Sequence, residues 1–506
     1  MMKHIVHILS LAGMLYAGVM QASAEKLVIL HTNDTHSQID PDDKDNLGGI
    51  ARRKVIVDSV RGSEKNMLLI DAGDAVQGTL YFNLYGGVLE QKAMNALGYD
   101  MRILGNHEFD NGINELAKVL DESDAEFIAT NYNLDNTPLG EEFEKYSIRE
   151  FDGKRIGFIA INLQPKGMIS EGNYDGLEYL DAVEAANATA WWLKNIEHCD
   201  MVIAITHIGY DPAVPPGDKS LAGSTRNIDI IIGGHSHDLI DPAKEGLQWL
   251  VPNLDGKEVL VTQVGKQGKN VGEITIDLDN GKTDYRVIPV TERYDNRIDP
   301  VMTELIAPYR AGVDSLMQVP VGRTSKELGQ LSPELLNWAT DIVLDRGRHM
   351  ASDVDFAILN KGGLRRGLPK GKITEGQIIT MMPFDNRIKV IDIKGADLLE
   401  AFRQMAAVGG NGVSDGVEVI YSVPEAGGKP QVVSAKLNGK EIDPDNTYRV
   451  ATIDYLANGG DYMPTLSNHT EVASSGQVLY KDVLDYLHEQ KNRRQNPSGT
   501  TRFVNQ

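Results

Sequence analysis

The chain has 506 residues, of which 41% are apolar, and a formal net charge of −22. This length is enough for two or three domains with sizeable cores, and the acidic excess argues against a nucleic acid polymer as partner, because proteins that bind such polymers normally carry a basic surface. Cys199 is the only cysteine, which excludes an intramolecular disulfide.

Residues 1–24 are predicted to be a secretory signal peptide. Lys3 precedes an apolar run from Ile5 to Met20, and Ala22-Ser23-Ala24 has the A-x-A pattern of a cleavage site. A membrane anchor is the alternative, but polar residues and glycines interrupt the run, which is shorter than the ~20 residues that a spanning helix needs. We therefore expect an exported protein, periplasmic or secreted, with no membrane anchor.

From residue 25 to about 295, apolar β runs alternate with helical stretches such as GGIARRKVIVDSVR and AVEAANATAWWLKNIE. Such alternation is typical of an α/β layered domain. Five of the runs, KLVIL, MLLI, MRIL, MVIAI and IDIII, are each followed by metal-binding side chains. Strands that end at one edge of a sheet would bring these side chains together. They are Asp34 and His36 in NDTH, Asp74 in DAGD, Asn106 and His107 in GNHEFD, His207 in ITHIGYD, and His235 and His237 in GGHSH.

The donor types indicate which metals such a site would hold. Carboxylate, imidazole and amide oxygen ligands suit borderline divalent ions such as Zn, Mn, Fe or Co. Two ions roughly 3.5–4 Å apart, bridged by one carboxylate, serve the hydrolysis of phosphate esters. A single Asp or His of this kind is more often a turn or structural residue, but five such motifs in one chain favour a metal centre.

With these motifs the chain resembles the metallophosphoesterase superfamily, and more narrowly its two-domain 5′-nucleotidase family. The resemblance spans nearly the whole mature chain. It implies a bridging role for Asp74 between two ions. The other ligands implied are Asp34, His36 and His237 for one ion, and Asn106, His207 and His235 for the other.

The resemblance also implies that His107 forms a catalytic dyad with Asp110 rather than binding metal. A carboxylate beside an imidazole keeps it protonated near neutral pH, and the imidazolium can then stabilise negative charge on phosphoryl oxygens. The alternative is that His107 only supports the ligands.

A second set of motifs lies between about residue 319 and residue 506: DFAILNKGGLRRGLP, MMPFDNRIKVIDIKG and IDYLANGGDYM. By resemblance these segments form a substrate pocket. Two aromatic rings can sandwich a flat base, a guanidinium can bind phosphate oxygens, and a carboxylate can accept hydrogen bonds from ribose hydroxyls. The alternatives are core packing for Phe384, packing under the NGGD loop for Tyr455, and turns for the glycines. The residues implied are Asn360, Arg365, Phe384, Tyr455 and Asp461.

The expected fold is therefore α/β: a four-layer αββα metallophosphoesterase domain at residues 25–298, a linker helix at 299–318, and a smaller α/β substrate-binding domain at 319–506. The family usually has a further phosphate-contacting Arg before the first helix of the second domain. Here that segment reads GRTSKELGQLSP, so Arg323 or Lys326 would have to replace it.

The expected activity is hydrolysis of small-molecule nucleotides with two divalent ions as cofactors, most simply of nucleoside 5′-monophosphates. Hydrolysis of 2′,3′-cyclic phosphodiesters, UDP-sugars, or nucleoside di- or triphosphates remains open. So does the possibility of a nucleotide-binding or surface-interaction protein without catalysis, although the chain lacks none of the ligands. The sequence does not indicate an oligomeric state.

Overall fold

The computed structural model describes residues 25–212, 216–424, 428–491 and 493–506. The predicted signal peptide, residues 1–24, lies outside the described residues. Within the described part of the chain, no helix is both long enough and apolar enough to cross a membrane. Cys199 is buried.

The N-terminal part of the chain contains fifteen strands and six α-helices among the residues described. The strands are β1 (Lys26–Thr32), β2 (Met67–Asp71), β3 (Met101–Arg102), β4 (Glu126–Ile128), β5 (Tyr132–Asn133), β6 (Phe143–Glu144), β7 (Ser147–Phe151), β8 (Lys154–Asn162), β9 (Glu178–Tyr179), β10 (Met201–His207), β11 (Ile230–Ile232), β12 (Leu250–Pro252), β13 (Glu258–Thr262), β14 (Asn270–Asp277) and β15 (Thr283–Pro289). The helices are α1 (Ile50–Arg61), α2 (Leu80–Tyr85), α3 (Val88–Leu97), α4 (Ile113–Leu120), α5 (Ala182–Asn195) and α6 (Asp218–Gly223).

Thirteen of these strands form two large sheets that pack face to face, and β5 pairs with β9 in a separate two-stranded sheet. The first has seven strands in the order β15-β14-β1-β2-β3-β4-β6, and the second has six in the order β12-β13-β11-β10-β8-β7. Strands β1, β2 and β3 are parallel, as are β8, β10 and β11. Parallel strands end at the same edge, so the segments that follow them meet there.

One apolar core lies between the sheets, with Leu27 and Ile70 from the first and Phe158 and Ile203 from the second. Helices α1 and α3 pack on the outer face of the first sheet, and α5 and α6 on the outer face of the second. Central strands covered on both faces read as continuous apolar runs, which is why KLVIL and MVIAI have no polar alternation. The predicted four-layer αββα arrangement is confirmed.

The C-terminal part begins with a long helix. Its helices are α7 (Pro300–Gln318), α8 (Pro333–Met350), α9 (Glu375–Met381), α10 (Gly395–Ala407), α11 (Asp454–Ala457) and α12 (Leu479–Glu489). Its strands are β16 (Pro320–Thr324), β17 (Phe356–Leu359), β18 (Gly371–Thr374), β19 (Ile388–Lys394), β20 (Gly412–Val413), β21 (Val417–Ser422), β22 (Gln431–Leu437), β23 (Lys440–Glu441), β24 (Thr447–Ile453), β25 (His469–Ser474), β26 (Arg494–Gln495) and β27 (Phe503–Asn505).

The main sheet of this part has the order β20-β17-β24-β19-β25, with α8 and α10 packed against it. Two smaller sheets, β18-β16-β26 and β23-β22-β21-β27, share the same core. The second α/β domain is thus confirmed. Helix α7 begins after Asp299, whose side chain accepts a hydrogen bond from the Val301 amide, and it packs against α2 and α3 of the first domain and α9 of the second.

The two domains contact each other through polar groups. The Arg366 guanidinium donates to Asp42 Oδ2 at 2.8 Å and to Gln38 Oε1 at 2.8 Å. Asp42 is almost fully buried, and although burial raises its pKa, Arg366 lowers the pKa of Asp42 to about 2. Asn83 also donates to the Pro383 carbonyl at 2.6 Å.

His31 on β1 is a buried imidazole that belongs to the core. Among the described residues neither ring nitrogen has a hydrogen-bond partner, and the ring stacks on Tyr285 with centroids 6.0 Å apart. Gly272 lies opposite it on β14, where a Cβ would collide with His31 Nε2. Burial lowers the pKa of His31 to about 3, so the folded protein keeps this ring neutral.

This burial predicts an acid-sensitive fold. The pKa of an unfolded histidine is about 6.5, so only the unfolded state binds the proton as pH falls below that value, and stability is lost by about 1.4 kcal/mol per pH unit at most. We expect the free energy of unfolding of His31→Leu, measured with urea, to fall less than that of wild type between pH 6 and pH 4. His198→Asn, at an exposed position, is the control. Equal pH dependence in all three proteins would contradict the assignment.

Candidate metal centre and substrate pocket

The structure brings the predicted ligands together at the shared edge of the two sheets. The segments after β1, β2 and β3 meet those at the ends of β10 and β11. Ligand atoms within 4.8 Å of one another form three groups: Asp34, His36 and His237; His36, Asp74 and His107; and Asp74, His207 and His235. Asp74 belongs to two of the groups.

Distances within the cluster fit ligands for metal ions. His36 Nε2 lies 2.9 Å from His237 Nε2, and His237 Nε2 lies 3.4 Å from Asp34 Oδ1. On the other side, His207 Nε2 is 3.1 Å from Asp74 Oδ2. Imidazole nitrogens and carboxylate oxygens that converge at such distances suit divalent ions of the zinc and manganese type.

Neighbouring groups orient the ligands. His207 Nδ1 donates to the Ala72 carbonyl at 2.7 Å, which turns Nε2 towards Asp74. His235 Nδ1 is 3.0 Å from Asn106 Oδ1, so Asn106 joins the group that contains Asp74 and His207. The seven predicted ligands therefore lie in one cluster.

The loops that carry the predicted ligands have an unfavourable backbone conformation. A non-glycine residue in the left-handed region costs roughly 1–2 kcal/mol, so several together need compensating contacts. Gly105 allows the closest approach, since a Cβ there would collide with Asp74 Oδ1. Five of the seven predicted ligands have a left-handed backbone conformation: Asp34 (φ 50°), His36 (φ 48°), Asp74 (φ 55°), His235 (φ 83°) and His237 (φ 62°).

Glu108 supplies such contacts, and the sequence analysis missed it. Its buried carboxylate accepts the backbone N–H groups of Asp74 at 3.0 Å, Ala75 at 2.8 Å and Gly105 at 2.6 Å. Burial, reinforced by the Asp74 charge, raises the pKa of Glu108 to about 7. The only signal in the sequence is a Glu inside GNHEFD, between two residues with assigned roles.

His107 and Asp110 are in contact, as the resemblance implies. His107 Nδ1 lies 2.9 Å from Asp110 Oδ2, and the His107 ring lies beside His36 with centroids 5.4 Å apart. Burial lowers the pKa of His107, but the carboxylates of Asp110 and Asp74 outweigh it, so that this pKa is raised overall. The ring is therefore well placed to carry a proton beside the ligands.

Two of the predicted pocket residues reach this centre from the second domain. The Phe384 ring stacks on His107, with centroids 5.7 Å apart and an angle of 27°. The Arg365 guanidinium carbon lies 5.7 Å from the Phe384 ring centre. Burial lowers the pKa of Arg365, and the carboxylates of Asp74, Asp110 and Asp34 act against that shift.

A cavity of about 1450 Å³ lies between the domains, lined by residues that include Asp110, Phe384 and Tyr455. The Tyr455 hydroxyl donates to the Gly167 carbonyl at 3.2 Å and accepts from the Asp461 amide at 3.0 Å. Tyr455 thus supports the NGGD loop as well as lining the cavity. Among the residues that the structure describes, those lining this cavity do not include Asn360, Arg365 or Asp461.

The remaining predicted pocket residues are Asn360 and Asp461. Asn360 is buried, and its Oδ1 has no hydrogen-bond partner in the part of the chain that the structure describes, which leaves an acceptor available. Asp461 Oδ2 accepts from Asn411 Nδ2 at 3.4 Å, a contact that the sequence did not suggest. Lys326 binds Glu334 at 3.0 Å and Arg323 is exposed on β16, so the structure shows neither in contact with the metal loops.

Comparison with known proteins decides the family. A calcineurin-like phosphoesterase family model matches residues 27–239, and a model of the 5′-nucleotidase C-terminal domain matches residues 316–468. The chain belongs to the 5′-nucleotidase family of calcineurin-like phosphoesterases. As a member of this family it is a phosphoester hydrolase, and its fold implies bound divalent metal ions.

Relatives of this 5′-nucleotidase family member match along nearly all of its length. It is 29% identical to the apyrase of Tabanus yao over 91% of this chain and 90% of the apyrase. It is 28% identical to the 5′-nucleotidase of Vibrio cholerae over 95% and 94% of the two chains. The trifunctional nucleotide phosphoesterase protein of Bacillus subtilis is 28% identical over 92% of this chain, which spans only 34% of that longer protein.

The crystal structure of the 5′-nucleotidase precursor from Thermus thermophilus superposes with a TM-score of 0.83 at 29% identity, covering 95% of this chain and 99% of the other. This agreement includes both domains. The resemblance drawn from the sequence motifs is confirmed.

The role of Glu108 can be tested by substitution. Glu108→Gln places an amide N–H₂ against three backbone donors, and an unsatisfied buried group of this kind costs about 1–3 kcal/mol. We expect a lower melting temperature and less bound metal in elemental analysis. Glu115→Gln, on an exposed face of α4, is the matched control. Unchanged melting and metal content in Glu108→Gln would show that the ligand loops do not depend on this carboxylate.

Proposed function

We propose that the protein is an exported phosphoesterase with two divalent ions that hydrolyses nucleoside 5′-monophosphates to nucleoside and phosphate. The observation that carries the proposal is the contact of Phe384 with His107, because it places a base-stacking side chain of the second domain beside the metal ligands. The names of the relatives, apyrase, 5′-nucleotidase and nucleotide phosphoesterase, support nucleotides as the substrate class.

In this proposal Asp34, His36, Asp74 and His237 hold one ion, and Asp74, Asn106, His207 and His235 hold the other. Zn, Mn or Co fit these donors. Two ions at this position would supply a hydroxide nucleophile and neutralise phosphoryl charge. His107, kept protonated by Asp110, donates to a phosphoryl oxygen as charge develops there.

The second domain selects the leaving group. Phe384 and Tyr455 stack on the base, Asp461 accepts from ribose hydroxyls, and Arg365 and Asn360 bind the phosphate end. A nucleotide that spans from these residues to the metal ligands requires the domains to be together. The A-x-A pattern at residues 22–24 supports export, and the word precursor in the name of the Thermus thermophilus protein agrees with it.

The proposed activity is tested by a phosphate-release screen with the purified mature chain. Substrates should include nucleoside mono-, di- and triphosphates, 2′,3′-cyclic nucleotides, UDP-glucose and a simple aryl phosphate, each with several divalent ions. We expect the highest kcat/KM for a nucleoside 5′-monophosphate. A higher value for a triphosphate or UDP-glucose would move the substrate assignment to the corresponding alternative, and no hydrolysis with any ion would refute catalysis.

Asp74 and His107 should differ in their effect on bound metal. Asp74→Asn removes the charge shared by both proposed sites, so turnover of all substrates should be lost together with metal. His107→Ala should lower kcat strongly while about two equivalents of metal remain in elemental analysis. Loss of one equivalent in His107→Ala would instead make His107 a ligand.

Tyr455 should matter for nucleotides and little for small phosphates. Tyr455→Ala removes a stacking surface worth roughly 1–3 kcal/mol, or about a 5- to 150-fold loss in kcat/KM for nucleotides. Tyr455→Phe keeps the ring and removes the hydroxyl contacts with Gly167 and Asp461. If stacking is the main role, the Phe variant keeps most activity; if Tyr455→Ala impairs aryl phosphate hydrolysis by the same factor, its role is structural.

A further inference from the structure

The loop between β13 and β14 is fixed against the metal-ligand loop. Asn33 Nδ2 donates both to Asp34 Oδ2 at 2.6 Å and to the Gly265 carbonyl at 2.8 Å. The Gln267 amide donates to the Asp34 carbonyl at 2.6 Å, and Gln267 is held in the left-handed region at φ 61°. Lys266 lies between these two anchored residues, so its backbone position beside Asp34 is fixed.

Lys266 and its neighbour Lys269 differ in their charged partners. Within the described residues its ammonium forms no ion pair, whereas Lys269 three residues later binds Asp42 at 3.3 Å and Asp45 at 2.7 Å. Lys266 keeps part of its surface exposed to solvent, so its charge is available to a ligand.

The second domain brings a cation to the same place. Asp42 binds both Lys269 and Arg366, which sets the loop of Lys266 against the segment that contains Arg365. Arg365 likewise forms no ion pair among the described residues, although it lies beside the metal ligands. The pKa of Lys266 is lowered by partial burial and then by the charges of Arg365 and Arg366, while the Asp34 charge acts against that shift.

We propose that Lys266 and Arg365 form a two-sided clamp for the phosphate group at the metal centre, Lys266 from the metal-binding domain and Arg365 from the other. The proposal rests on the proposed phosphoesterase function. Two unpaired cations repel each other, and an anion with two negative charges between them removes that repulsion. Lys266 does not depend on the second domain, so it would also act on phosphates that lack a nucleoside.

Binding of inorganic phosphate tests the clamp without turnover. Isothermal titration calorimetry should compare wild type with Lys266→Met, Lys266→Arg and Lys282→Met, the last removing an equal charge from the exposed turn between β14 and β15. We expect the Kd for inorganic phosphate to rise about 10-fold in Lys266→Met, the loss typical of one hydrogen bond to a charged group. Lys266→Arg should bind nearly as wild type, and Lys282→Met should be unchanged.

Adenosine separates a phosphate contact from a structural role. As a competitive inhibitor of aryl phosphate hydrolysis, adenosine should keep its Ki in Lys266→Met, because it carries no phosphate, and elemental analysis should show unchanged metal. An unchanged phosphate Kd in Lys266→Met, or no phosphate binding by wild type, would overturn the proposal. So would a parallel loss of adenosine binding or metal. If aryl phosphate is hydrolysed but nucleotides are not, the nucleotide assignment fails and the clamp is still tested.

Discussion

Crowding of ligands at the edge of two packed sheets is the constraint on which the N-terminal domain depends. Two carboxylates and four imidazoles of the proposed set face a small space, on loops whose backbone is largely left-handed. Such an arrangement is unfavourable by itself, and hydrogen bonds from neighbouring groups to the proposed ligands and their backbone stabilise it. The Ala72 carbonyl, the Glu108 carboxylate and the Asn33 amide each bind a ligand or the backbone beside it.

The two domains contribute different parts of the proposed site. The N-terminal domain contains the proposed metal ligands. Phe384 and Tyr455, two aromatic residues that line the cavity, belong to the second domain. Contacts such as Arg366 with Asp42 and Tyr455 with Gly167 join the two domains.

Sequence reasoning identified the side chains that cluster at the sheet edge, because parallel strands that end at one edge leave a readable signal: an apolar run followed by Asp, Asn or His. The four-layer domain was predictable for the same reason. Glu108 was not, since an acidic residue beside a histidine has no distinguishing pattern until its three backbone donors are seen. Lys266 and Asn411 depend on contacts between distant loops, which no periodicity encodes. The proposed roles of Arg323 and Lys326 came from alignment with a family pattern, and the fold gives both residues other surroundings.

The buried position of Cys199 has a practical consequence. The chain has no other cysteine, and this thiol is covered by the core around α5. A thiol-reactive fluorophore or spin label would therefore attach almost entirely at cysteines introduced on the surface. With one cysteine introduced on the surface of each domain, two labels would report the distance between the domains in solution. Changes in that distance would show how often the contact between Tyr455 and Gly167 opens.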